Sequence, residues 1–211
     1  MALARILRAD LWVVAPDRFG PFTEISTIFS DARDDIARLP GVQQARVISF
    51  TSALALINDR LIRTDVVGYQ IGRVSLPAQL VAGRAPSKPR YEAVVDRTLG
   101  VTLGERIVIR NRKFDVVGLT ERAVGFTGKP LTIVSLIDAR IIEAKESPAA
   151  IRRLRAHGES GDVGPQNANA IVVRLNPGAN AESVKREIER WKHFEGHLRA
   201  GADFNHYHPQ R

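Results

Sequence analysis

The sequence contains no cysteine among its 211 residues, and aromatic residues make up only 6% of it. Without cysteine the chain can form neither a disulfide framework nor a zinc site with thiolate ligands. The aromatic residues are scattered along the chain, which gives no platform on which the bases of a nucleic acid could stack. A disulfide-stabilised small protein is therefore excluded, and a base-stacking module is not indicated.

Long apolar runs are also missing. The longest, residues 48–57, is interrupted by serine and threonine and falls well short of the roughly 18 residues that a membrane span requires. Near the start of the chain, Arg5 and Arg8 interrupt the uncharged central segment that a signal peptide needs. A segment taken from inside a longer membrane protein would begin in the same way, and we expect this explanation rather than a cytosolic protein.

Positive charge and apolar content are what the sequence does have. It contains 31 lysine and arginine residues against 23 aspartate and glutamate residues, a formal net charge of +8, and 44% of its residues are hydrophobic. This hydrophobic content is enough for one core or two small ones and excludes a disordered chain. The positive surface is expected to attract nucleic acid, lipid headgroups or an acidic protein, and the charge alone does not choose among them.

The sequence motifs of common enzymes are absent. There is no nucleophile elbow, phosphate-binding loop or dinucleotide-binding glycine turn. His193 and His197 lie four residues apart, but Glu195 does not occupy the position of the general base in a metalloprotease motif, and Gly196 weakens a helix there. We therefore predict no enzyme activity, no metal site and no cofactor. A metal-dependent hydrolase stays a hypothesis that requires His193 and His197 to bind one metal ion.

Hydrophobic periodicity predicts strands and helices in a definite order. A strand at residues 10–15 is followed by a helix over residues 25–39, and the extended pattern of residues 42–71 contains a turn at 58–59 that predicts a hairpin. Further strands are predicted at residues 92–96, 107–109, 114–118, 131–135 and 170–175, of which 107–109 and 114–118 form a second hairpin. Helices are predicted at 137–146, 149–157 and around 184–191, and a loop at 158–169. This order predicts an α+β unit into which a mostly β unit is inserted.

Several segments carry a family resemblance through their order and spacing. They are ADLWVVA (9–15) with IARLPGV (36–42), LVAGRAP (80–86) with EAVVD (92–96), LGVTLGERI (99–107) with FDVVGL (114–119), and VVRLNPG (172–178). In this succession they resemble the MacB-type periplasmic core domain of ABC-transporter permeases, a group related to FtsX and to the DevC exporters. The resemblance covers about residues 9 to 190.

The resemblance implies a division of the chain into two subdomains. Residues 1–50 and 168–200 would form a porter-like α+β subdomain with a βαβ arrangement, and residues 51–167 would form an inserted, mostly β subdomain. We expect residues 201–211 to be a flexible tail, since chain termini are commonly poorly ordered.

The resemblance also implies a function. Such a domain lies outside the bacterial cytoplasmic membrane, in the periplasm, between the first two transmembrane helices of a permease that works as a homodimer. A cytoplasmic ABC ATPase and, in many members, a periplasmic adaptor protein would be its partners. The domain would be non-catalytic, coupling ATP hydrolysis to export or efflux through conformational change and partner docking, and nucleic acid is not an expected partner.

The partner-contact surface is predicted from exposed apolar and basic groups. The residues are Phe126 and Lys129 in the loop 125–130, and Arg152, Arg153 and Arg155 in an arginine-rich segment. A different class of function stays open, because the same basic residues suit a soluble module that binds nucleic acid or anionic lipid.

Overall fold

The computed structural model describes residues 9–14, 28–29, 31–71, 80–125, 127–146, 167–191 and 199–201. The chain divides into two compact units. The central unit is formed by Ile48–Pro165, and the terminal unit by Ala9–Val47 and Gln166–Arg211.

The described elements are mostly strands. They are β1 (Leu11–Val14), β2 (Ile28–Phe29), β3 (Val42–Ile57), β4 (Arg60–Tyr69), β5 (Ala82–Gly83), β6 (Glu92–Asp96), β7 (Arg106–Ile109), β8 (Arg112–Thr120), β9 (Leu131–Ser135), β10 (Asn167–Ala168), β11 (Ala170–Leu175) and β12 (Arg199–Gly201). The helices are α1 (Ala32–Ala37), α2 (Leu136–Glu146) and α3 (Ala181–Glu189), with a short 3₁₀ turn at Arg97–Leu99. The predicted α+β class is confirmed.

The terminal unit packs two helices on strands in the order β12–β1–β11–β3. The antiparallel pair β1 and β11 brings Trp12 opposite Val172. Helix α3 begins after Asn180, whose side chain accepts a hydrogen bond from the Ser183 amide at 3.1 Å and so caps the helix. Val184 and Ile188, four residues apart on this helix, are buried in the core of the unit. The apolar face predicted for this helix is confirmed.

The predicted helix over residues 25–39 is wrong in its first part. Helix α1 begins at Ala32, and Ile28 and Phe29 form β2, which pairs with Ala168 and Asn167 of β10. Ile28 is buried in the same core as Ile36. Position 28 therefore needs an apolar residue in either a strand or a helix, and the apolar pattern did not distinguish the two. The pairing with β10 supplies the backbone hydrogen bonds of this segment from a partner distant in sequence, which periodicity cannot detect.

The central unit contains a closed ring of six strands in the order β3–β4–β9–β6–β8–β7, with β7 pairing back onto β3. The pairs β4–β9 and β6–β8 are parallel, and the other four are antiparallel. Apolar side chains from all six strands form one buried cluster, among them Ala53, Val66, Ile107, Phe114 and Val134. Since the ring closes, none of these six strands is a free edge.

Both predicted hairpins are confirmed, and both have turns in which two successive residues have positive φ. Asn58 and Asp59 connect β3 to β4 with φ of 46° and 60°, and Arg110 and Asn111 connect β7 to β8 with φ of 51° and 62°. Positive φ at both central residues is the feature of the type I′ turn, whose twist matches that of the strands. Arginine rarely has positive φ, so the pairing of β7 with β8 holds Arg110 in a backbone conformation that it does not favour.

Helix α2 confirms the predicted helix at 137–146 and packs on β4 at a glycine. A Cβ atom added to Gly68 would overlap the Cβ of Ala139 and approach the backbone at Leu136. At the start of the helix, Ser135 Oγ accepts a hydrogen bond from the Asp138 amide at 3.0 Å and donates one to Asp138 Oδ2 at 3.1 Å. This reciprocal pair satisfies a free amide of the first turn, as capping residues do.

A salt bridge pins the segment that leads into β6. Arg84 donates to both oxygens of the Glu92 carboxylate, at 2.6 and 2.9 Å, and the amides of Ser87 and Lys88 donate to Glu92 Oε2 at 2.7 and 3.1 Å. The Arg84 hydrogen bonds, with the two amides, lower the pKa of Glu92 from 4.5 to about 2. The carboxylate is 4% exposed and is therefore a fixed acceptor that holds this loop.

Several predicted features lie outside the described residues. They are the helix at 149–157, residues 158–166 of the predicted loop, the histidines at 193, 197, 206 and 208, and residues 202–211 of the predicted tail.

The close approach of α2 to β4 makes Gly68→Ala a test of the packing. The added methyl group overlaps Ala139, and we expect the free energy of unfolding to fall by about 1–3 kcal/mol, the usual cost of overpacking a filled core. Urea denaturation followed by circular dichroism measures this. Arg63→Ala, an exposed position on the same strand, should change the unfolding free energy by less than about 0.5 kcal/mol. An unfolding midpoint for Gly68→Ala equal to that of the wild type would contradict the packing.

The Glu92 salt bridge predicts a pH dependence of stability. Well above pH 4.5 the Glu92 carboxylate is ionised in both the folded and the unfolded protein, and the bridge contributes fully to stability. Between pH 4.5 and about 2 the unfolded protein binds the proton first, so the free energy of unfolding falls as the pH falls. Glu92→Gln should lower the unfolding free energy at pH 7 by about 1–3 kcal/mol, a range that allows for the half-exposed Arg84. It should also lose less stability than the wild type between pH 5 and pH 2.5.

The matched control is Glu121→Gln, which removes a carboxylate from an ion pair with Arg97 in which both side chains are about half exposed. We expect that variant to follow the wild-type pH profile, because exposed ion pairs contribute little. Equal profiles for Glu92→Gln and the wild type would show that the Glu92 bridge does not stabilise the fold.

Candidate functional site

Three leucines lie exposed on the outer side of the six-stranded ring. Leu54 and Leu56 on β3 are 41% and 38% exposed, and Leu61 on β4 is 67% exposed. On β3, Leu54 and Leu56 alternate with Ala53, Ala55 and Ile57, which are buried in the core. Since successive side chains of a strand point to opposite faces, the small residues fill the inside and the leucines are left outside. Leu54, Leu56 and Leu61 are called the leucine face below.

Strand register joins the leucine face into one patch. Leu56 is directly opposite Leu61 on β4 and opposite Val108 on β7, which is half-buried. Side chains opposite each other in antiparallel strands lie on one face with Cβ atoms about 4.5–5.5 Å apart. The patch therefore crosses three neighbouring strands, and regular pairing holds it in place.

Positive charge borders the leucine face. Arg63 is opposite Leu54, and Lys113 is opposite Val108; both basic side chains are exposed. Arg106, farther along β7, is paired with Asp115 at 2.8 Å. An apolar centre with a charged border is the usual composition of a protein-binding surface.

The predicted contact residue Lys129 lies in a loop that a buried carboxylate fixes. Asp65 on β4 accepts hydrogen bonds from the Thr127 amide at 2.7 Å, from Thr127 Oγ1 at 2.7 Å and from Ser52 Oγ at 2.6 Å. A Cβ atom at Gly125 would overlap Asp65, so the loop approaches the strand as closely as glycine allows. Lys129 is exposed on this loop, and its contact with a partner stays a prediction.

A second buried carboxylate fixes the start of the same loop. Asp96 accepts hydrogen bonds from the Thr98 amide at 3.1 Å, from Thr120 Oγ1 at 3.3 Å and from the Ala123 amide at 2.6 Å. The loop that carries Lys129 is therefore attached at both of its ends to buried acceptors.

The other predicted contact residues, Phe126, Arg152, Arg153 and Arg155, lie outside the described residues. In the part of the chain that is described, no three His, Asp or Glu side chains are close enough to hold a metal ion. Across the same residues, no helix has the length and apolar character needed to span a bilayer.

Sequence reasoning missed the leucine face, although the signal was in the sequence. The alternation Ala53, Leu54, Ala55, Leu56 is apolar at every position, so it gives no sign of which face is buried. The closed ring decides this, because its interior accommodates the small alanines. The alternation of small and large apolar residues was the available sequence signal, and the closed ring is needed to show which of the two faces is exposed.

The chain is similar to known proteins in its sequence pattern and in its fold. Residues 2–191 match the family described as the MacB-like periplasmic core domain. No curated protein matches the chain at a significant level. Three solved structures share the fold.

The first is the periplasmic region of MacB from Actinobacillus actinomycetemcomitans, with a TM-score of 0.60 at 10% identity, covering 95% of this chain and 93% of that one. The second is the extracellular domain of the ABC-type transporter YknZ from Gram-positive bacteria, with a TM-score of 0.56 at 9% identity over 92% of this chain and 99% of that one. A domain of a putative permease from Porphyromonas gingivalis has a TM-score of 0.56 at 16% identity over 92% and 91%. With the match over nine-tenths of its residues, the chain belongs to the MacB-like periplasmic core domain family of ABC-transporter permeases.

Proposed function

We propose that this chain is the extracytoplasmic domain of an ABC-transporter permease in a bacterial cytoplasmic membrane. It acts without catalysis, by docking a partner protein and by moving when a cytoplasmic ATPase, reached through the transmembrane part, hydrolyses ATP. Membership of the family supports the location, and the periplasmic and extracellular regions that share the fold agree with it.

The leucine face is the observation that carries the docking function. Three leucines in neighbouring strand positions, 38% to 67% exposed, leave apolar surface in water without a packing partner inside the described chain. Burying such surface is favourable by about 25 cal/mol per Å². Contiguous apolar patches on soluble domains commonly mark interaction sites. Regular strands hold this patch in place, so little conformational entropy is lost on binding.

Charge around the patch indicates the kind of partner. Arg63 and Lys113 border the leucine face, and among the described residues neither is paired with a carboxylate. A second copy of this chain, docked through the same face, would bring like charges together, since a two-fold interface pairs a surface with itself. The partner is therefore an extracytoplasmic adaptor protein with an apolar patch bordered by carboxylates. The homodimer expected for the permease is formed by other surfaces.

The buried carboxylates support a non-catalytic role. Asp65, Glu92 and Asp96 each accept at least three hydrogen bonds from the loops and strands around them. The low pKa of Glu92 keeps that group ionised and bound to Arg84 at neutral pH. A general base needs a carboxylate that can reach a substrate proton, and these three are already engaged as structural acceptors. We keep Lys129, on the loop that Asp65 and Asp96 fix, as a second contact for the partner.

Cross-linking at the leucine face tests the proposal in cells that make the complete permease. A photoreactive residue in place of Leu61 should cross-link to an extracytoplasmic protein, and the same residue in place of Glu187, exposed on α3, should not. With that protein purified, the double variant Leu56→Ser and Leu61→Ser should bind it about 30-fold more weakly, since a central interface residue is worth about 2 kcal/mol.

The control for this experiment is Glu187→Ser, which should bind as the wild type does. The thermal unfolding midpoint of the double leucine variant should stay close to the wild-type value, because both leucines are exposed. Cross-linking at Leu61 no greater than at Glu187, or cross-linking to a second copy of this chain alone, would refute docking of an adaptor at this face.

A further inference from the structure

Tyr91 is held in a conformation that tyrosine rarely adopts. Its φ is +65°, in the left-handed region, where a bulky side chain is a genuine outlier. The backbone is fixed on both sides: the Tyr91 amide donates to Asp138 Oδ2 at 2.8 Å, and the Tyr91 carbonyl accepts from the Asp115 amide at 2.9 Å. Such strain persists only where the surroundings determine it, and it concentrates at functional sites.

Two arginines converge on the Tyr91 side chain. Arg90 Nη2 and Arg112 Nη1 donate to the Tyr91 hydroxyl at 2.9 and 2.8 Å. Both guanidinium groups also lie near the ring, at 4.9 and 5.9 Å from its centroid, and Phe114 packs edge-on against it at 6.1 Å. Guanidinium groups only donate hydrogen bonds, so the hydroxyl hydrogen of Tyr91 goes to neither arginine and can be donated to an external acceptor.

An open cavity of about 450 Å³ adjoins this cluster. It is lined by Tyr91, Asn111, Arg112 and Lys113. Two of these four side chains are cationic, one is a hydroxyl and one an amide, and none of the described residues that line the cavity is a carboxylate. The I′ turn of the β7–β8 hairpin supplies Asn111, and β8 supplies the two cations, so the site rests on regular structure.

Among the described residues, no carboxylate balances the two charges at this cavity. Arg84, Arg90 and Arg106 of the central unit each lie within 4 Å of a carboxylate. Among the described residues, Arg112 and Lys113 have no such carboxylate partner, and the Nε atom of Arg112 is buried with no hydrogen-bond acceptor. A partly buried guanidinium without a counter-charge favours an anion from outside.

We propose that the cavity beside Tyr91 binds a phosphoryl group, with Arg112, Lys113 and the Tyr91 hydroxyl as its donors. A tetrahedral oxyanion offers several acceptor oxygens to donors that arrive from different directions, whereas a planar carboxylate matches one guanidinium. The fork of Arg112 orients the group, and Lys113 adds a mobile point charge. The ligand is a phosphate ester, and its source is either a soluble molecule or the headgroup of an anionic phospholipid.

Titration of the 211-residue chain with inorganic phosphate at constant ionic strength tests the site, followed by amide NMR shifts. Saturable shifts should centre on residues 91 and 111–113. Arg112→Ala should weaken binding at least about tenfold, the equivalent of one charge-assisted hydrogen bond. Tyr91→Phe, which keeps the ring and removes the hydroxyl, should weaken it about threefold or more.

The matched control is Arg106→Ala, which removes the same charge from the neighbouring strand and should leave phosphate affinity within about twofold of the wild type. If Arg112→Ala does not fold, Lys113→Ala, at an exposed position, is used in its place, and it should also weaken phosphate binding. Shifts spread over all arginines, or equal losses in Arg112→Ala and Arg106→Ala, would overturn the proposal, since either result means diffuse attraction.

Vesicles distinguish the two sources of the group. Binding to phosphatidylglycerol vesicles that Arg112→Ala abolishes and Arg106→Ala preserves, without binding to phosphatidylcholine, assigns the site to an anionic lipid headgroup. Phosphate binding at residues 91 and 111–113 without vesicle binding assigns it to a soluble phosphate ester. Both results support the site, and a chain that binds neither phosphate nor vesicles refutes it.

Discussion

Among the described residues of the central unit, four carboxylates are buried, although the net charge of the chain is +8, and each must find its hydrogen bonds inside the protein. They are Asp65, Glu92, Asp96 and Asp138. An ionised carboxylate without partners is costly to bury, so each of them draws in backbone amides and hydroxyl groups of a neighbouring loop. The loops at 84–91 and 123–130 are fixed in this way, and the strained backbone of Tyr91 is held by the hydrogen bond that its amide donates to Asp138.

The central unit presents two preformed surfaces of different chemistry, one held by paired strands and one beside a fixed loop. The leucine face is apolar and lies on the paired strands β3, β4 and β7, whereas the cavity beside Tyr91 is lined by hydrogen-bond donors. Lys113 is common to both, since it borders the leucine face and lines the cavity. A domain that works by binding needs such preorganised surfaces, because ordering them on contact would reduce affinity.

Local structure could be predicted from the sequence, and long-range structure could not. The hairpin turns, the helix at Leu136–Glu146 and the strand at Ala170–Leu175 follow from nearby residues. The strand at Ile28–Phe29 and the closure of β7 on β3 depend on partners far away in sequence, which periodicity does not reveal. For the same reason the exposed face of the Ala-Leu alternation and the cavity beside Tyr91 became visible only in the fold. The α+β class could be predicted from the order of the strands and helices alone. The family resemblance could be predicted from the order and spacing of short sequence segments.

The proposed movement of this domain in response to ATP hydrolysis is tested most directly by a distance measurement in the complete permease. The 211 residues contain no cysteine. In a permease with any cysteine elsewhere replaced, Leu61→Cys and Glu187→Cys place one spin label in each unit, and Leu61→Cys with Lys88→Cys places both in the central unit. The account predicts that ATP shifts the distance distribution of the first pair and leaves that of the second unchanged. If neither distribution changes while ATP is hydrolysed, this domain does not transmit the movement.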